Sequence, residues 1–397
     1  MQIHFITDIK NNGDRNANKI LPKPIWYRFQ FRSFGKKIEL LNYINPLNIE
    51  SEKKHFFSSK FNYEPNFKYP KIRFNGYKLH RLFFSQRLER IKDEDIRNLY
   101  KDIIYEYSGL IECIETIGQG KKFYYNSLKS FGTPTERDIE NAKFILRFDD
   151  SDFEEDLLPL YNVDDAIAYF EAFRTRYDFD FTIKKSTNIA AAAMVQNNTK
   201  TLLLRKNHKF SKNQLKVLAN HEIGVHLVTT FNSINQPLKI FSNGFPNNVE
   251  TQEGLAVYSE YKSGCLTITR LKELAYRVIA TDSLAKGYNF SDTFHLLHNQ
   301  YKVNRDKAFS ITIRVHRGGG FTKDHLYLTG LKKVYSYAKD ENDLDVLLTG
   351  KVTLEYKEVI TKLQSLGLAN TSKYYTDAYL NTDASEKNFD FILNSLK

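Results

Sequence analysis

The stretch His221-Glu-Ile-Gly-Val-His226 holds residue types that bind a transition metal and move a proton. Two histidines on one helix face, with a glutamate directly after the first, make a zinc site with an adjoining base when the histidines are four residues apart. Here they are five apart. On a regular α-helix, positions i and i+5 point about 140° away from each other, so the two rings could not share an ion. A π-bulge, which absorbs one extra residue, would turn the second ring back to the face of the first. Gly224, inside the motif, costs about 1 kcal/mol relative to alanine but lets the backbone deform. The flanking Leu215, Val217, Leu218, Leu227 and Val228 predict a buried helix, where a charged Glu222 is costly unless a divalent ion compensates it. Zinc with a working water needs a third protein ligand and an open fourth position. The next helical segment, NNVETQEGLAVYSEY, offers Glu250, Glu253 and Glu260. Glu250 has an ordinary role near a helix N-terminus, and Glu260, beside Tyr261 and Lys262, reads as a solvated face residue. Glu253 precedes Gly254, Leu255 and Ala256 on what should be a packed face, and is the choice for third ligand. Glu222 then becomes the general base on zinc-bound water.

HEIGVH, followed by TQEGLAVYSE and FTKDHLYLTG, resembles the family of tyrosine carboxypeptidases that includes the microtubule-associated enzymes, whose bacterial members are labelled QEGLA-motif proteins. SFGTPTERDIENAKFIL (130–146) and FFSQRLERIKD (83–93) carry the same likeness, which runs over about residues 80–335. The resemblance implies a zinc metallopeptidase fold with His221, His226 and Glu253 as ligands and Glu222 catalytic. Animal relatives remove the C-terminal tyrosine of tubulin; for this chain the likeness supports the chemistry better than the target.

A carboxypeptidase must recognise a free α-carboxylate, for which a bidentate arginine is the best-suited group. Arg314-Val-His-Arg-Gly-Gly-Gly-Phe-Thr-Lys323 offers Arg314 and Arg317, with Lys323 behind them. The competing reading is that these cations only solvate a helix end. Tyr327 or His316 could hydrogen-bond a tetrahedral oxyanion. The strand Thr201–Arg205 could pair with an extended peptide. His295 and His298, in FHLLH, lack a third ligand nearby and read as an ordinary histidine pair. Gly318–Gly320 lacks the setting of a phosphate loop and reads as a hinge or turn.

The elements that must position these residues follow from periodicity. Prolines 22, 24, 46, 65 and 70 punctuate the first ninety residues and predict an extended layer. Helices are predicted from Asp93, from Thr133 to Glu136 onward with Pro134 near the first turn, and from Asp164 to Tyr177. Strands are expected at 179–186 and 192–206, the latter a hairpin turning at 196–199, before a helix capped by Ser211. From Asn248 to about Leu366 the pattern is helical. The fold class is thus α+β and mostly helical, with a small sheet beside the HEIGVH helix, and the family resemblance implies that it is zincin-like. Residues 1–160 form an N-terminal region packed on a catalytic domain of residues 161–397.

Composition sets the limits. The formal charge of +11 goes with scattered lysines and no nucleic-acid module, so no nucleic-acid partner is expected. No stretch reads as a signal peptide or a membrane span, and two cysteines make no disulfide framework, so the expected location is cytoplasmic. The expected function is a zinc carboxypeptidase acting on a peptide or protein C-terminus, with an aromatic last residue. The alternatives are a zinc endopeptidase or a regulatory protein that retains the metal site.

Overall fold

Apolar residues at helical spacing dominate this chain, and helices follow. The computed structural model describes residues 40–149, 158–187, 189, 191–340, 343–380 and 387–397; it is 63% helix with one small three-stranded sheet, an α+β architecture. Numbering the helices longer than four residues, α1 spans Ile49–Ser58, α2 Gly76–Phe84, α3 Glu94–Glu115, α4 Lys121–Phe131, α5 Glu136–Ile145 and α6 Val163–Arg174. The strands are β1 (Thr182–Ser186), β2 (Ala193–Gln196) and β3 (Thr201–Arg205). Then α7 runs without a break through Lys212–Leu218, Ala219–Leu227 and Val228–Ile234. There follow α8 (Asn248–Lys262), α9 (Ile268–Ala285), α10 (Phe290–His295, continued by a π turn over Leu296–Gln300) and α11 (Arg305–His316). The last are α12 (Leu326–Lys339), α13 (Lys357–Ser365) and α14 (Lys387–Ser395).

The helix starts have chemical causes. The Asp93 carboxylate accepts from the backbone N–H groups of Asp95 and Ile96 at the head of α3. Thr135 and Asp138 form a reciprocal capping box on α5, and Pro134 lies directly before that cap, next to the first turn. The extended reading of the first ninety residues needs correcting over the part described: α1 and α2 are regular helices, and the longest irregular stretch between them, 59–75, holds Pro65 and Pro70. Asn75 caps α2, and Leu79 and Phe83, four apart, bury its inner face. Pro22, Pro24 and the segment 25–31 lie outside the described residues. Periodicity gives little sign of α4, because its apolar face, Phe123 and Phe131, is short and flanked by Gly118, Gly120 and Gly132.

The cores join both halves of the sequence. Ile96, Leu99 and Ile103 of α3 share one buried cluster with Phe241, Phe245, Ile360 and Leu363. Ala142 and Ile145 of α5 share another with Leu271, Leu274 and Val278 of α9.

The sheet runs β1-β3-β2, with β1 parallel and β2 antiparallel to β3. The register pairs Thr182 with Thr201 and Ala193 with Leu204. β3 is therefore the central strand, and its backbone is already paired on both sides; a peptide cannot add to it. Leu202 and Leu204 point inward and are fully buried. They pack, with α6, onto Leu215, Ala219, Ile223, Leu227 and Phe231 of α7.

Candidate active site

The middle of α7, Ala219–Leu227, is a π-helix, and HEIGVH lies inside it. In a π turn the residue stacked on i is i+5, so His221 and His226 face one side. Hydroxyl and ammonium groups take up the displaced carbonyls. Thr376 Oγ1 donates to Gly224 O at 2.8 Å, Thr230 Oγ1 to His226 O at 2.7 Å, and Lys351 Nζ to His226 O at 3.0 Å. Gly224 itself is not required by space: a Cβ there would find its nearest neighbour at 3.6 Å.

Opposite the histidines, α8 crosses α12 backbone to backbone. A Cβ on Gly254 would lie 2.3 Å from the carbonyl oxygen of Gly330, and one on Gly330 would lie 2.1 Å from that of Glu250. Only glycine fits either place. This close crossing brings Glu253 under the two imidazoles and beside Lys323 and Tyr327, near the start of α12.

Glu253 Oε2 lies 3.5 Å from His221 Nε2 and 3.7 Å from His226 Nε2. All three ligand atoms fall within 4.8 Å of one another, the single such set of three among the described residues. These separations are too long for hydrogen bonds, and Glu253 Oε2 is buried without a hydrogen-bond partner. A tetrahedral ion with bonds of about 2.0–2.2 Å sets its ligand atoms about 3.3–3.6 Å apart. The gap is the size of an ion.

The surroundings orient each ligand. Lys323 Nζ donates to Glu253 Oε1 at 2.8 Å, leaving Oε2 to face the histidines. His221 Nδ1 lies 2.8 Å from Glu260 Oε1, and Arg270 clamps that carboxylate through Nε (3.0 Å) and Nη2 (3.1 Å). An ionised carboxylate only accepts, so the proton sits on Nδ1 and Nε2 presents its lone pair to the centre. Arg270 also reaches Glu273, Arg277 pairs with Glu273, and the Arg277 guanidinium covers the Tyr327 ring at 5.0 Å.

The electrostatics ask for a cation between the ligands. Burial opposes a charge on His221, but the carboxylates of Glu253 and Glu260 outweigh it and hold the imidazole up at about 10. Burial lowers His226 against the pull of Glu253. Burial would also raise Glu253, yet the Lys323 ammonium and the two imidazoles keep its carboxyl well below the usual range. Either a proton or a metal ion can supply the missing charge. Two imidazoles and one carboxylate suit zinc.

Glu222 is buried beside His221, and its Oε2 accepts from Val195 N–H of β2 at 3.1 Å. A cavity of about 270 Å³ lies in front of these groups, walled also by Arg317, Lys323, Tyr327 and Lys351. Arg314 reaches the wall too, but its guanidinium grips the fully buried Asp324 through Nε and, at 3.1 Å, through Nη2. Arg317 differs. It is buried, donates from Nη1 to Asn45 Oδ1 at 2.7 Å, and has an Nε without a partner. Among the described residues no carboxylate forms an ion pair with it. Burial, then the neighbouring Arg314, lowers Arg317 to about 10, so it stays charged at neutral pH.

Other candidates fall away from the cavity. His316 is half-buried and bonded to Thr293 Oγ1 at 2.8 Å, with loss of solvent around the ring pulling it down to about 3, and it does not line the cavity. His298 bonds the Val303 carbonyl and His295 bonds Asn299. Gly318–Gly320 is a turn held tightly on α4, with Gly318 packed on Phe123 and Gly319 on the backbone of Gly120. Glu250 pairs with Lys333. Glu260 is the chief correction: it is fully buried and holds His221 from behind. Seven residues separate it from Glu253, two turns of helix, and that spacing alone puts both carboxylates on one face. Arg270, Asn45 and Lys351 carried no local sequence signal.

Residues 54–397 match the family described as microtubule-associated tyrosine carboxypeptidase. The chain belongs to that family. The match extends the likeness seen at 80–335 in both directions and begins inside α1, downstream of Asn45. A comparison with curated proteins finds no match. Among solved structures, a Shewanella oneidensis protein of unknown function is similar at 14% identity and a TM-score of 0.37, over 78% of this chain and 63% of that one. This chain thus spans less than two thirds of that protein, and so low a score carries no argument.

Proposed function

We propose that this protein is a zinc-dependent carboxypeptidase with a zincin-like centre, releasing one C-terminal residue, best an aromatic one. The observation that carries the reading is the convergence of His221 Nε2, His226 Nε2 and the orphaned Glu253 Oε2. These residues would hold the ion, which when bound supplies Lewis acidity for the carbonyl and for water. Glu222, oriented by the Val195 N–H through one oxygen, keeps its other oxygen to take a proton from the attacking water and return it to the leaving amine. Lys323 and Tyr327, 3.4 Å apart and both lining the cavity, would steady the charge that builds on the carbonyl oxygen. Arg317 takes the terminal carboxylate, which makes the enzyme an exopeptidase. The tyrosine in the family's description supports an aromatic last residue.

Two buried free cysteines, Cys113 and Cys265, support a reducing, cytoplasmic setting. No helix among the described residues is long and apolar enough to cross a membrane.

Glu222→Gln is the test. It keeps the shape of the side chain and removes the base, so zinc content should stay near one per chain while turnover falls by about 10²–10⁴-fold. Unchanged turnover would refute the assigned base. Cuts inside the peptide, seen by mass spectrometry, would make it an endopeptidase. A zinc-loaded wild type inert toward every peptide would leave a regulatory protein.

A further inference from the structure

The family match starts at residue 54, yet the wall of the cavity starts earlier. Leu41 and Asn45 lie upstream of the match and line the cavity, and Asn45 holds Arg317. Residues 40–53 therefore form an arm that contributes to the site from outside the matched region.

A second, larger space continues from the first. A groove of about 820 Å³ shares Leu41, Asn45, Ile189, Met194 and Arg314 with the cavity. One wall is the arm, with Pro46, Leu47 and Ile49. The other is the sheet, with Met194 of the edge strand β2 and Leu203 of β3. Phe309 and Ile313 of α11 also line it.

The charges in this groove cancel. Arg205 meets Glu50 of the arm at 3.5 Å, Lys53 meets Asp306 at 2.7 Å, and Arg314 is taken by Asp324. An acidic sequence lying there would find its counter-charges already engaged, and complementary charge is what favours a charged partner at a surface. Apolar side chains would find Leu47, 70% exposed, together with Ile49, Met194 and Leu203. The cavity takes the last residue and its carboxylate, so the groove continuous with it fits the chain that precedes that residue.

We propose that the arm of residues 40–53 and the sheet edge together bind the substrate polypeptide upstream of the released residue, and that they select apolar over acidic sequence there. This rests on the carboxypeptidase reading and deepens it. Binding energy gathered from parts of a substrate remote from the scissile bond appears in kcat/KM.

The experiment uses the full-length zinc-loaded protein and N-blocked peptides ending in tyrosine, two to eight residues long. One series carries leucine and valine upstream and the other glutamate, with free tyrosine measured by mass spectrometry. In the apolar series kcat/KM should rise at least about tenfold from dipeptide to hexapeptide. At equal length the glutamate series should fall about tenfold or more below it. Leu47→Asp, at an exposed position that the fold tolerates, should shrink the hexapeptide-to-dipeptide ratio severalfold. Equal rates at all lengths would overturn the proposal and leave the groove to another occupant. So would preference for glutamate, or an unchanged ratio in Leu47→Asp. In each of those cases the carboxypeptidase reading survives, because tyrosine is still released. No release from any peptide would overturn both.

Discussion

Arg317 offers the sharpest test of how the substrate is held. Its guanidinium is buried, donates to Asn45 at 2.7 Å, and leaves Nε unsatisfied. A buried cation with an empty donor is costly unless an anion arrives, and a terminal carboxylate is the anion a carboxypeptidase brings. The charge-assisted bond should be worth about 1.5–3 kcal/mol, or roughly 10- to 150-fold in kcat/KM between a free acid and its amide. Arg317→Met keeps the bulk and removes the charge. Asn45→Asp keeps the charge and gives it an internal carboxylate in place of the substrate's. Both should slow the acid by that factor and spare the amide, so that the acid-to-amide ratio collapses toward one.

Arg314 is the control. Losing it strands the fully buried Asp324, and breaking a buried pair costs about 3–5 kcal/mol of stability. Arg314→Met should therefore unfold at lower temperature without changing the ratio. The ratio, with zinc content beside it, is the assay. A ratio near one in the wild type, or one that survives both Arg317→Met and Asn45→Asp, would refute the assignment. A folded Arg314→Met that abolishes the ratio would move the anchor there.

Glu260→Gln removes the charge that orients His221, and should weaken zinc binding about 10- to 100-fold in a competition with a coloured chelator; unchanged affinity would make Glu260 a bystander. Gly254→Ala forces a methyl into the Gly330 carbonyl and should cost at least about 1–3 kcal/mol, read as a lower Tm; wild-type Tm would mean the helices separate freely. Glu106 has its own pH signature. Burial pushes its carboxyl up from 4.5 to about 7, so the stability it contributes is complete below 4.5 and lost as pH rises through 7. Glu106→Gln should thus out-melt the wild type at about pH 8, with the advantage shrinking toward about pH 5; the opposite slope would contradict the burial argument.

Legibility followed distance along the chain. The helix of HEIGVH, the hairpin and the capped helix from Asp93 were readable because their causes are local. The partnership of Asn45 with Arg317, 272 residues apart, was not, nor was Arg270 behind Glu260. The reading of Glu260 as solvated came from judging it by Tyr261 and Lys262, its neighbours in sequence, when a helix sets neighbours three, four and seven residues away. In the first ninety residues the prolines are a stronger local signal than the Leu79–Phe83 pair, whose burial holds α2 in place.

The π-helix could have been read twice over. Leu215, Ala219, Ile223, Leu227 and Phe231 meet the sheet at unbroken steps of four. In a regular α-helix such a stripe drifts about 40° per step, some 160° across the set, and Phe231 would leave the face that Leu215 occupies. A π turn, where i+5 stacks on i, drifts the other way and restores the stripe. The extra residue between the histidines therefore has two consequences with one cause: it brings His226 round to His221 and keeps Phe231 against the core. Deleting a residue to recover the familiar four-residue spacing would satisfy the metal and misplace everything after it. The spacing of the ligands and the spacing of the core agree only when the helix is π.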